Sequence, residues 1–447
     1  MAGDVARAGR RSRAAAPGVV TGSVARLAAD VVATAFMTAT GAITARSLGP
    51  SSKGTLVALL FLVVFAAHVA AVGLGDAVVV HVGRGEDAEA CAGTSSAIAL
   101  ASVPLAAVLL AALSAVGAGG PWSEVRSALP AAVIAMAGWV VIVVGTGIAV
   151  ARRWLVLAAV PQAVTWAVTF AVTFVLAVRA PLSVRSAAVA MASGTLAGAV
   201  TIGWGLARQG VSPRPRWDRT RVRALLRTGI PIQVSYLLTV LSLRLDVLVV
   251  LWLVNSAAAG FYSVALTVAQ LASFPTLALA TATFPSVTTL QGHEGDAYVG
   301  LVHRVGLLSS LALAVPGALL LPLVLPLVFG AGYRPAVAPA LLLLAGASTS
   351  SLHWLSNRAL AARGDRRGLL LSHGATLVAM LALDLVLIPA WGTTGAATAS
   401  VTGAAVGATI AFHRALPGRS MLRELVPRRS DVGVVVSAVR TSLGRGA

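Results

Sequence analysis

At 447 residues, 57% hydrophobic and only 11% charged, with a mean hydropathy of +0.88, the chain falls outside the composition of water-soluble domains and reads as an integral membrane protein. A formal net charge of +19 would suit a nucleic-acid binder, but nearly all the arginines sit in loops between apolar runs, so the charge is read as membrane topology and no nucleic acid is expected as a partner. A single cysteine, Cys91, excludes an intramolecular disulfide and a thiolate metal cage, and no metal or other cofactor is indicated.

After a basic N-terminal segment, 1–19, twelve apolar runs are each long enough to cross a hydrocarbon core of about 30 Å as a helix. The first, 20–46, is too long for a signal-peptide core and no convincing small-residue cleavage site follows it, so it is expected to remain as a span. It carries Arg26 and Asp30, four residues apart on one helical face. The segment LGPSSKG leads into the second run, 55–80, with His68 close to its middle and Asp76 near its end. Runs at 93–117, 128–150, 154–178 and 186–208 complete a first lobe, 20–208, and an arginine-rich linker, 209–227, follows. The second lobe, 228–414, has runs at 228–254, 260–286, 303–329, 336–360, 368–390 and 394–414, and a basic tail, 415–447, follows them. The expected fold class is all-α and polytopic, with about 12 transmembrane helices in two six-helix lobes.

With the N-terminus in the cytoplasm, 25 of the 34 basic residues fall in inside segments and six, Lys53 among them, in outside loops. The positive-inside rule therefore puts both termini, and Cys91 beside GRGEDAEA, in the cytoplasm. The basic tail sets topology or touches anionic headgroups. An even number of spans gives both lobes the same orientation, and a weak repeat offset by about 206 residues agrees with a parallel repeat. LGPSSKGTLVALL (48–60) matches LVNSAAAGFYSVAL (253–266), Gly54 answering to Gly260, and SAAVAMASGTLAGA (186–199) lies over GAATASVTGAAVGA (395–408). Both members of the second match hold a G-x-x-x-G, at Gly194 and Gly198 and at Gly403 and Gly407, read as close helix packing.

A charge at bilayer depth costs about 2.5 to 3.5 kcal/mol on insertion scales, so the few intramembrane ionisable groups are the functional candidates. They are Asp30, Asp76, Asp246 and Asp384, with Arg26, Arg244 and Arg358. Arg244 and Asp246, in LSLRLDVLVVLWLV, are two residues apart, roughly 200° around a helix, and cannot share a face. Arg244 faces either a wet cavity or a structural mate such as Asp30 or Asp384, while Asp246 caps or pairs within its own lobe. Arg26 meets a ligand or snorkels to the cytoplasmic border. His68 suits proton coupling or is a satisfied interior histidine. Gln270 and Tyr262, on the eighth span, bond sugar hydroxyls or neighbouring helices, and Pro275 predicts a kink there.

The chain resembles the Wzx-type lipid-linked oligosaccharide flippases of the multidrug/oligosaccharidyl-lipid/polysaccharide exporter superfamily. The residues that carry the resemblance are ARSLGPSSKGTLVALL (45–60), GIPIQVSYLLTVLSLRLDVLVVLWLVNSAAAGFYSVALTVAQL (229–271), FPSV (284–287) and LIPAWGTTGAATAS (387–400). The resemblance implies that spans one, two, seven and eight line a central cavity where arginines meet the pyrophosphate of a polyprenyl-linked glycan. Its further implications are a bacterial plasma membrane location, polysaccharide-assembly proteins as partners beside the bilayer, and Arg244, Arg26, Gln270 and Tyr262 as substrate contacts. Asp246, Asp30, His68 and Asp384 are the candidates for coupling or ion pairing. A cation/drug antiporter of the same superfamily (MATE type) stays open, because the intramembrane charges are balanced. A membrane glycosyltransferase or ligase is disfavoured: the only outer-loop acid is Glu124, and no phosphate loop, Ser/His/Asp arrangement or metal-ligand cluster is present.

Overall fold

The computed structural model describes residues 16–116, 120–211, 214–273, 276, 279–280, 283, 287, 290 and 292–426, with the side chains of 16–27, 116, 120, 293 and 422 excepted. Among the described residues every regular element is helical. In chain order these are α1 (Ala16–Ala71), α2 (Leu74–Gly83), α3 (Ala88–Val116), α4 (Gly120–Ala151), α5 (Leu155–Arg179), α6 (Val184–Arg208), α7 (Arg219–Leu253), α8 (Ser256–Ala272), α9 (Gly292–Phe329), a 3-10 turn (Ala331–Ala336), α10 (Val337–Ala345), α11 (Ala347–Ala362), α12 (Arg366–Ala415) and α13 (Met421–Leu425).

Two of these helices each hold two spans. In α1, Gly49 takes φ 71° and ψ 174°, outside the helical region, and Pro50 follows, so the chain breaks in the LGP segment and starts a new helix. In α12, Gly392 does the same with φ 56° and ψ −130°. Each of the twelve expected spans then falls on helix, the eighth only as far as Ala272 and the few described residues beyond it; the kink expected at Pro275 lies outside the described residues.

Three spans differ from the sequence reading. The second is interrupted: Val72 (φ 47°) and Gly73 (φ 70°) leave the helix, which restarts at Leu74. The break lies at a close backbone approach, where a Cβ on Gly229 would lie 2.5 Å from the Val72 carbonyl oxygen. The tenth is bent by 47° at Gly346, between α10 and α11, where Gly346 lies against Val401. The seventh starts more than two turns early, at Arg219, because the Asp218 carboxylate accepts the Thr220 N–H at 2.9 Å and the Arg221 N–H at 3.3 Å, an N-cap that extends the helix into the expected linker.

The chain divides into two compact units, Met1–Leu237 and Leu238–Ala447. In the first, α6 packs on both α4 and α5. A Cβ on Gly198 would stand 3.0 Å from the Pro161 carbonyl and 2.8 Å from Ile142 Cδ1, so only hydrogen fits. The second unit repeats the device within α12, where Cβ atoms on Gly403 and Gly407 would come within 2.9 Å of Met380 Cβ and the Ser372 carbonyl. In both seams the facing threonine turns its hydroxyl back to its own helix, Thr165 to Pro161 O (2.8 Å) and Thr376 to Ser372 O (2.9 Å). Close van der Waals approach replaces the hydrophobic drive that lipid cannot supply.

Candidate functional site

The second unit gathers most of the intramembrane candidates. Arg244 and Asp246 leave α7 in different directions, as their spacing requires. Arg244 Nη2 donates to Gln270 Oε1 on α8 at 3.1 Å. Among the described residues of its own unit no carboxylate reaches Arg244 at ion-pair distance, so the guanidinium keeps spare donors. Two expected substrate contacts are thus one hydrogen-bonded pair.

Asp246 is turned inward and 1% exposed. Its Oδ2 accepts the Tyr262 hydroxyl at 2.6 Å and its Oδ1 the Val247 N–H at 2.8 Å. Tyr262 is fully buried and also lies 3.5 Å from the Ala396 carbonyl of α12. Tyr262 lies within electrostatic reach of Arg244, but its hydroxyl bonds Asp246, not the Arg244–Gln270 pair. Sequence reasoning had both residues but not the bond between them, sixteen positions apart, although the signal was present in RLD followed by GFYSVA.

Asp384, on α12, is fully buried, within electrostatic reach of Asp246, and among the described residues neither of its carboxylate oxygens has a hydrogen-bond partner. Burying an ionised carboxylate with no partner is prohibitive. Asp246, Tyr262 and Asp384, on helices α7, α8 and α12, lie within electrostatic reach of one another. Among the described residues no group of three or more His, Cys, Asp or Glu side chains is arranged to hold a metal ion.

The first unit holds the remaining candidates apart. His68 is 8% exposed and its ring packs against Tyr236 of α7, centroids 4.4 Å apart and planes tilted by 45°. Gln233, one turn before Tyr236, is buried with its Nε2 unpartnered. Asp30 is half-buried on α1, and Arg26 lies on the same helix with its side chain outside the described residues, so their pairing lies outside them too. Lys53, read as an outer-loop charge, is instead 8% exposed: the turn at Gly49 folds it back so that Nζ donates to Thr44 Oγ1 at 2.8 Å and Gly41 O at 3.3 Å. A lone lysine nine residues after a threonine, across Gly-Pro, was the only sequence signal for this.

With this geometry in view, the chain can be set beside known proteins. The family described as polysaccharide biosynthesis protein matches residues 24–291. No curated protein matches the sequence. Among solved structures, the chain resembles an inward-facing multidrug resistance MATE family transporter of the MOP superfamily, at 19% identity and a TM-score of 0.70, covering 88% of this chain and 97% of that one. It resembles the lipid II flippase MurJ in an inward closed conformation at 11% identity and a TM-score of 0.73, covering 91% and 89%. A MOP superfamily transporter from Pyrococcus furiosus, whose binding pocket is described as reversed in polarity, matches at 17% identity and a TM-score of 0.60, covering 89% and 94%. At such identities the likeness is one of fold.

Proposed function

Because this chain belongs to the polysaccharide biosynthesis protein family, which it matches over more than half its length, we propose that it is an alternating-access flippase carrying polyprenyl-diphosphate-linked oligosaccharide across the plasma membrane. It is a multi-pass membrane protein with apolar helices long enough to span. On this reading it sits in the bacterial plasma membrane with both termini cytoplasmic, as its arginine distribution favours, and acts as a transporter, not an enzyme. The name and fold of MurJ, a lipid II flippase, support the substrate class.

The observation that carries the assignment is the Arg244–Gln270 pair. A guanidinium at intramembrane depth, held by a neutral amide and not by a carboxylate, keeps its charge available for an anion. The diphosphate is its ligand, bound through the planar fork. Asp246, Tyr262 and Asp384 form the coupling cluster, where entry or loss of a proton or monovalent cation is linked to the transport cycle; His68 is the second coupling candidate. Arg26 is a further contact for the headgroup.

The buried carboxylates of the same unit favour one second reading, a MATE-type cation/drug antiporter. A deletion strain separates the two. A flippase mutant accumulates lipid-linked glycan on the inner leaflet, and Arg244→Ala reproduces this while Arg244→Lys restores part of the export. If the strain accumulates no such intermediate and loses only resistance to cationic drugs, the antiporter reading replaces the flippase.

A further inference from the structure

The arginines at the start of α7 have no part in the reading above. Arg219, Arg223 and Arg227 recur every fourth residue, within about 80° of one helix face, and all three are exposed. Val222 and Leu226 fill the same face and Trp217, 61% exposed, stands at its head; these six residues line an open groove of about 680 Å³.

These arginines are also unneutralised. Elsewhere in the chain Arg304 is paired with Glu424, Arg363 with Asp296 and Arg414 with Asp365. Asp218 is committed to the helix cap and to Arg221, which lies about 200° around the helix from Arg219, and Glu86 is held by His81, whose other ring nitrogen meets Thr228. Among the described residues no carboxylate pairs with Arg219, Arg223 or Arg227. Sixteen uncharged residues, 228–243, follow Arg227 directly, so the ladder marks the level at which α7 enters the hydrocarbon. That is the depth of lipid phosphates, and an exposed tryptophan beside the ladder suits the same interface.

We propose that this groove docks the diphosphate headgroup of a polyprenyl-linked lipid in the cytoplasmic leaflet, as the first contact of the substrate before transport; the proposal rests on the flippase reading above. Three guanidinium forks match the two negative charges and the array of acceptor oxygens of a diphosphate diester better than the single charge of a phospholipid. The exposed Trp217 ring at the head of the ladder offers the first sugar an apolar face to lie against.

The test uses the purified full-length protein in nanodiscs, with farnesyl diphosphate as probe and phosphatidylglycerol as competitor. The combined variant Arg219→Gln, Arg223→Gln and Arg227→Gln should lose at least about tenfold in affinity for farnesyl diphosphate. The matching lysine variant should lose less, because charge survives without the fork. Arg214→Gln with Arg216→Gln, which removes two exposed charges just before the groove, should leave binding intact. If the glutamine variant does not reach the membrane, Arg223→Gln alone, at the centre of the ladder, carries the test with a smaller loss. Unchanged affinity in the folded variant overturns the proposal. So does equal competition by phosphatidylglycerol, which would make the groove a general anionic-lipid contact. Binding needs no transport, so this outcome is separable from the flippase reading, which stands or falls on the accumulated intermediate.

Discussion

The bond between Tyr262 and Asp246 offers the sharpest test of how the second unit is built. Tyr262→Phe removes one oxygen and leaves the ring in a site with no solvent access, so no larger void and no new polar group is introduced. The Asp246 Oδ2 loses a 2.6 Å donor while Oδ1 keeps the Val247 N–H. A hydrogen bond to a charged group contributes about 1.5–3 kcal/mol, and one between neutral groups about 1 kcal/mol. For a unit of this size each kcal/mol shifts Tm by about 2–4 °C, so Tyr262→Phe should lower Tm by about 3–12 °C if the carboxylate is ionised. Tyr262→Phe, Asp246→Asn and the double variant form a cycle, read by thermal unfolding of the detergent-solubilised protein through tryptophan fluorescence. The double variant should cost less than the sum of the single ones, by about 1.5–3 kcal/mol. A coupling energy below about 0.5 kcal/mol, the additivity limit for independent sites, would refute the pairing and remove Tyr262 from the proposed coupling cluster.

Other consequences follow from particular contacts. Gly407→Ala would press a methyl group against Thr376 Oγ1 and to within 2.9 Å of the Ser372 carbonyl, and should destabilise by about 1–3 kcal/mol, whereas Gly203→Ala, with nothing within 4 Å, should hold or raise Tm. Asp365, between α11 and α12, is held below the usual carboxylate range by hydrogen bonds from Arg414 and then from the Gly368 N–H. Its contribution is present above the unfolded carboxylate pKa and is lost as pH falls through the lower folded value; Asp365→Asn should therefore flatten the acid limb of a Tm-against-pH curve. Cys91 is fully buried, so an impermeant maleimide should leave it unlabelled in intact cells and in folded membranes and label it only after denaturation; labelling of intact cells would contradict both its burial and its expected inner-side position.

Much of the architecture is written locally. Hydropathy sums along the chain, so class and span positions need no tertiary information, and each span lies on helix as far as its described residues go, the second with a break at Val72–Gly73. The breaks at Gly49-Pro50 and Gly392 are equally local, since conformations outside the helical region and a ring without an N–H act where they stand. The two G-x-x-x-G motifs were legible as seams because small side chains have one dominant use between lipid-embedded helices. Partners were another matter. That Arg244 meets Gln270, 26 residues on, that Asp246 takes the Tyr262 hydroxyl, that Asp384 finds no hydrogen-bond partner among the described residues, and that Gly229 lies against the break at Val72 all depend on which helix faces which. Lys53 shows the limit most plainly: its charge counted toward topology, yet its burial follows from a turn that folds the chain back over Thr44. Periodicity says which residues share a face; only packing decides what that face meets, and a buried charge is defined by what it meets.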